Sequence, residues 1–180
     1  MLRTNTGCIL SLALAACGPA VAQDDSADET RCDPWAEVCE VSLLPNWDMR
    51  SVLALETGGV IVEPTDEPVQ VQGDGHLRAS VGRYLALQSG LDEPLLCLVP
   101  ESFASLDDVP ADASVCDCEA LSGCWSRTVL FGLLGSGEAD FNDTGLLLKT
   151  SAGDLYRARV LVADASFEQS MLTIEYEGVM

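Results

Sequence analysis

From residue 52 onward the apolar residues of this chain come in short runs, each closed by glycine, proline, serine or an acidic residue. That punctuation is the strongest constraint on the fold, because strands of four to eight residues fit between such stops and helices of ten or more do not. Residues 52–56 (VLALE) and 60–62 (VIV) flank Thr57-Gly58-Gly59, a hairpin loop by length and composition. Leu77, Ala79 and Val81 alternate with polar residues, and 84–88 (YLALQ) follows Gly82. Residues 95–99 (LLCLV) form a continuous apolar run between two prolines, short enough for a buried strand, and 128–134 (TVLFGLL) reads similarly. Residues 146–150 and 155–163 face each other across Ser151-Ala152-Gly153-Asp154. In the last segment Leu172, Ile174 and Tyr176 alternate with Thr173, Glu175 and Glu177, one face for a core and one for water. About eight short strands predict a mainly β fold, an antiparallel β-sandwich or barrel with short helical turns. Residues 32–180 are expected to form that single domain.

The chain carries eight cysteines, one of them Cys8 within the first apolar run. Leaving aside Cys8 and Cys17, six remain: Cys32, Cys39, Cys97, Cys116, Cys118 and Cys124. An even set in an exported chain predicts disulfides, here three. Cys116-Asp117-Cys118 is too short to bridge itself without strain, so these two are expected to take different partners. Cys32 and Cys39 most simply pair with each other, which leaves two bonds among Cys97, Cys116, Cys118 and Cys124. Those bonds would brace the one long connection, 100–125, together with helical turns expected at 101–106 or 119–121. A Cys-x-Cys-x5-Cys metal thiolate site is the competing reading, and it lacks histidine partners. Near Cys32, the sequence CDPW offers Asp33 as an N-cap with proline at the first helical position.

Residues 1–16 read as a secretory signal: Arg3 near the start, then the apolar run GCILSLALAA, too short to cross a bilayer. Leu14-Ala15-Ala16-Cys17 resembles the lipobox of bacterial lipoproteins. The resemblance implies a diacylglycerol on the Cys17 thiol, cleavage before that residue and acylation of its amine. Gly18, where enterobacterial inner-membrane lipoproteins carry aspartate, would favour the outer membrane. The rival site is Ala20-Val21-Ala22, cut before Gln23, which would leave a freely secreted protein. Residues 17–31, polar and acidic after Ala22, are expected to be a disordered spacer between anchor and domain. A second resemblance lies in 77–84 (LRASVGRY), similar to the Gly-x-Tyr corner of immunoglobulin-like domains, with Ser80 and Ala86 where that pattern has aspartate and cysteine.

Loss of the signal leaves eight basic residues against 29 acidic ones, a net charge of −21. Lys149 is the only lysine. A chain of that sign repels phosphate backbones, so nucleic acid is not an expected partner, whereas a membrane reached through the N-terminal lipid is.

Motifs that carry chemistry are sparse. His76, in GDGHL, is the only imidazole and reads as an exposed turn residue ahead of a strand. Asp107-Asp108 and Asp92-Glu93 are carboxylate pairs of the kind a hydrolase needs, but adjacent side chains point apart, and solvated loop charges are the expectation. Asp140, Asn142 and Thr144, followed by Gly145 and an apolar residue, resemble half of an EF-hand calcium loop, with Ser151 in place of the closing glutamate. Calcium is the one cofactor this pattern offers, and a calcium-stabilised adhesion module the function it would imply. Trp35, Trp47 and Trp125 are candidates for stacking on a sugar ring, and two of them lie near cysteines that they are expected to pack against. With no nucleophile motif, the function expected is a non-enzymatic binding or scaffold domain at the cell envelope; an extracytoplasmic hydrolase using carboxylates is the alternative. Intact-mass analysis of the mature protein tests the anchor: the expected N-terminus is a triacylated Cys17, and an unmodified Gln23 would refute it.

Overall fold

Alternation sets the architecture. In a computed structural model describing residues 32–68, 75–89, 95–116, 125–135, 137–138, 141–167 and 169–179, the apolar positions of successive strands meet between two antiparallel sheets. The strands are β1 (Cys39–Leu43), β2 (Met49–Ala54), β3 (Val60–Pro64), β4 (His76–Val81), β5 (Tyr84–Ser89), β6 (Leu95–Ser102), β7 (Thr128–Leu133), β8 (Gly137–Glu138), β9 (Thr144–Lys149), β10 (Leu155–Ala165) and β11 (Met171–Val179). The six-stranded first sheet has the order β1-β11-β10-β9-β6, with β8 pairing on β10; the five-stranded second sheet has the order β3-β2-β4-β5-β7. The result is a sandwich, not a closed barrel.

Leu172, Ile174 and Tyr176 of β11 are fully buried, as their spacing predicts, and meet Leu53, Leu77, Leu85, Leu87 and Phe131 from the other sheet. Each such side chain contributes about 1.5–3 kcal/mol when removed from water. Both expected hairpins form, β2–β3 and β9–β10. Two strands were not legible in advance: β8 has only two residues, and β1 alternates Cys39, Val41 and Leu43 inward beside a disulfide. Tyr176 also ties the two sheets together by a polar contact. Its buried hydroxyl donates to the Leu55 carbonyl at 2.9 Å, and burial, with Tyr156 alongside, pushes its ionisation well above the ordinary phenol range.

The first sheet is apolar on its outer face as well. Leu96 points into the main core while Cys97 and Val99 point out; Leu146 and Leu148 point in while Leu147 points out. This two-sided burial explains the continuous apolar runs of β6 and β9. The outer cluster is roofed by residues 103–116, which contribute Phe103, Leu106, Val109 and Cys116, with Trp125 packed at its edge. Helical turns do support this segment, though not over the expected 101–106, because β6 continues to Ser102. They are single 3-10 turns at Leu106–Asp108 and Ala113–Cys116. Asp112 accepts from the backbone and hydroxyl of Ser114 beside the second turn, which holds its carboxyl below the usual range. Near Cys32 the expected cap is present: Asp33 Oδ1 accepts from Trp35 N at 3.0 Å, over one hydrogen-bonded turn.

Two disulfides are formed, Cys32–Cys39 and Cys97–Cys116, closing separations of 7 and 19 residues. The first is the local pair expected, and the second is one of the bonds assigned to the long connection. Cys118 and Cys124, the 119–121 turn and Cys17 lie outside the described residues.

Two outcomes follow. Replacing Cys97 and Cys116 together by alanine is expected to cost about 3 kcal/mol in urea melts and to open the roof first, read as early proteolysis within 103–116; unchanged stability would refute the bracing role. Tyr176→Phe is expected to cost about 1–3 kcal/mol, because the Leu55 carbonyl loses its donor. Above pH 10 the unfolded phenol ionises while the buried one keeps its proton, so stability falls as pH rises. Urea melts from pH 9 to 11.5 should show a shallower fall for Tyr176→Phe than for wild type.

Candidate functional site

The residues singled out for chemistry do not converge. Leu77 and Ala79 enter the core, so by alternation His76 lies on the outer face of the second sheet, whereas Asp107 lies on the outer face of the first. The thickness of the sandwich separates them. His76 is not the exposed turn residue expected: β4 begins with it, paired to Ala54, and its half-buried ring encloses Nδ1 with no hydrogen-bond partner among the described residues. Asp107 and Asp108 are exposed loop charges, as expected, and each also has a partner. Asp107 Oδ1 accepts from Arg157 at 2.8 Å, while Asp108 accepts from the backbone and hydroxyl of Ser105, closing the first 3-10 turn. Asp92 and Glu93 lie outside the described residues.

Of the calcium-loop candidates, Asp140 lies outside the described residues. Asn142 Oδ1 accepts from Ala163 N at 3.0 Å, and Thr144 Oγ1 donates to the Phe141 carbonyl at 2.7 Å. Between them Asp143 takes a left-handed φ of 66° and faces Arg159 at 3.4 Å. These side chains are committed to the turn that launches β9. Nor is the Gly-x-Tyr resemblance carried into the structure: Tyr84 is exposed, with the Arg83 guanidinium 5.7 Å from its ring centre, because it opens β5 at the sandwich rim.

The three tryptophans separate by environment. Trp35 lies over Gly178, where a side chain would occupy the space of its indole, and its ring centre is 5.1 Å from that of Tyr156. Trp125 packs on the outer cluster that contains Cys97 and Cys116, as expected of a tryptophan near cysteines. Trp47 does neither. It is 56% exposed on the β1–β2 loop, and across a groove of about 260 Å³ stands Phe167, 70% exposed on the β10–β11 loop. These are the two most exposed large apolar side chains among the described residues. Sequence reading missed Phe167, since nothing in ADASFEQS marks its ring as a neighbour of residue 47.

The backbone of the Trp47 loop and the ring of Phe167 are held by their surroundings. Asn46 Oδ1 accepts from the backbone N–H groups of Asp48 and Met49 at 2.9 and 2.8 Å. Thr65 donates its hydroxyl to the Trp47 carbonyl at 2.7 Å and its N–H to the Asp48 carbonyl at 2.7 Å. The segment carrying Thr65 is itself pinned: Arg50 pairs with buried Glu63 at 2.9 Å and donates to the Glu67 carbonyl at 3.0 Å. On the other side, Phe167 is seated on Gly135. That residue has φ +83°, and any side chain there would collide with the ring. The groove floor is polar, with Ser166 donating to the Gln169 carbonyl and buried Ser170 donating to the Ser166 carbonyl.

The groove sits at one pole of the sandwich. The chain enters the domain at the other, where Cys32 N donates to the Thr57 carbonyl and Gly178 N to the Pro34 carbonyl. Nine-residue β11 runs between the two poles, about 25 Å. No protein-family model matches this chain, and no curated protein or solved structure matches it significantly.

Proposed function

We propose that this protein is exported, anchored to the bacterial envelope by lipid on Cys17, and works there as a non-enzymatic binding or scaffold domain. The observation that carries the reading is polar opposition. Trp47 and Phe167 are displayed on hydrogen-bonded loops at the pole opposite Cys32, where the segment from the expected anchor enters. A domain tethered at one end and displaying exposed aromatics at the other is arranged to meet something away from its membrane. The two disulfides add support, since such bonds persist in oxidising compartments outside the cytosol. Asp107 and Asp108 turn to different partners, Arg157 and Ser105, and not to a shared site, which favours binding over hydrolysis by that pair. By analogy with the lipobox proteins, the outer membrane is the proposed location.

Fractionation tests this reading. Wild-type protein is expected in the membrane fraction and Cys17→Ser in the soluble one. Purified mature protein should co-sediment with envelope fragments from which the lipid has been extracted, and Trp47→Ala should reduce that retention several-fold. Retention that is absent, or indifferent to Trp47, would overturn the binding role.

A further inference from the structure

We propose that the groove between Trp47 and Phe167 is a recognition site for a neutral saccharide, a ligand class that rests on the binding role proposed above. A sugar ring has two chemically distinct parts: a face of C–H groups carrying slight positive charge and a rim of hydroxyls. Exposed aromatic faces, negative at the ring quadrupole, match the first, and carboxylate or amide groups beside them match the second. Both kinds of group line this groove. The indole and phenyl rings supply the faces, while Asp48 and Asn46 flank Trp47 directly in sequence. Asp48 is exposed, and its carboxylate accepts no hydrogen bond from another described residue, so both oxygens are open to vicinal hydroxyls. The Asn46 amide is oriented by its own Oδ1 contacts to the loop backbone, which leaves its NH2 group as a donor.

Preorganisation strengthens the assignment. A tryptophan on a loose loop must lose backbone freedom on binding, whereas the backbone of this one is fixed by the Asn46 and Thr65 contacts before a ligand arrives. Phe167 is likewise seated on Gly135. The chemistry also selects against other occupants. Val81 is the one aliphatic side chain in the lining, which is poor cover for an acyl chain or for the apolar stripe of a peptide helix. Asp48 in the site and a whole-chain charge of −20 disfavour anionic glycans and phosphate polymers.

The test uses the mature lipidated protein in a polyoxyethylene detergent, which has no sugar head group to compete. Tryptophan fluorescence and calorimetric titrations are run against neutral gluco-, xylo-, manno- and chito-hexasaccharides, with a polyuronate oligomer as the anionic control. At least one neutral oligosaccharide is expected to bind saturably. Trp47→Ala and Phe167→Ala should each weaken that binding at least tenfold with melting temperatures within about 2 °C of wild type, and Trp35→Phe should bind as wild type does. No saturable response to any neutral oligosaccharide, equal affinity in Trp47→Ala, or tighter binding of the polyuronate would each overturn the assignment. Envelope co-sedimentation run in parallel separates the two proposals. Trp47-dependent retention without saccharide binding, including retention through a protein, sinks the ligand class and leaves the binding role standing. Loss of both removes both.

Discussion

A sheet that is apolar on both faces must be covered on both, and most of this structure follows from that constraint. β9 carries Leu146 and Leu148 into the main core and Leu147 outward, and β6 divides Leu96 and Cys97 in the same way. The second sheet covers one side. The other falls to residues 103–116, which have no strand of their own, so their backbone carbonyls need donors from elsewhere. Arg157 donates to the Asp107 carbonyl at 3.1 Å, and Arg159 donates to the carbonyls of Phe103 and Ala104 at 3.1 and 2.6 Å. Those arginines are in turn oriented across the strand pair: Arg157 lies opposite Glu177, Arg159 opposite Glu175, and each donates its Nε at 2.6 Å. The roof, the arginine ladder and the Cys97–Cys116 bond are therefore one device. An ion pair on an open surface contributes little, but here the arginines also donate to three carbonyls of the roof and so tie it to the sheet.

The scarcity of basic residues makes this use of arginine consequential. Nine lysines and arginines serve the whole chain, and Arg50, Arg157 and Arg159 are each committed to a carboxylate and to backbone carbonyls. Few cations are left to balance the acidic surface. Such a surface keeps neighbouring copies apart and repels polyanions, so the recognition proposed at the Trp47 pole would come from aromatic faces and hydrogen-bonding groups. Arg50 links the two roles. Its pairing with Glu63 sits on the outer face of the second sheet, and its reach to Glu67 steadies the segment from which Thr65 holds the Trp47 loop.

Elsewhere the apolar groups of the loops are turned to packing. The Trp35–Tyr156–Tyr176 series, with ring centres 5.1 and 6.3 Å apart, runs from the rim at Gly178 into the core and ends on the Leu55 carbonyl. It stiffens the pole where Cys32 enters. At the opposite pole Phe131 meets Phe141 edge-on at 5.8 Å inside the sandwich, while Phe167 and Trp47 stay outside. One pole is thus closed by aromatic stacking and the other displays its rings.

By itself the sequence determined the period-two alternation of β4 and β11, the hairpins at Gly58 and Gly153, the burial of β6 and the local Cys32–Cys39 pair. These are consequences of near neighbours along the chain: side-chain alternation, turn stereochemistry and a short loop closure. Tertiary structure alone decided which partners lie 16 to 131 residues apart, such as Arg159 with Glu175 or Ser42 with Thr173. It set the exposed Asp107 beside Arg157, and it half-buried His76, because register and sheet assignment are collective properties of all the strands. The pairing of Trp47 with Phe167 belongs to the same class. The two residues share a groove because β1, β2, β10 and β11 end at one pole, and no spacing along the chain encodes where strand ends from two sheets will meet.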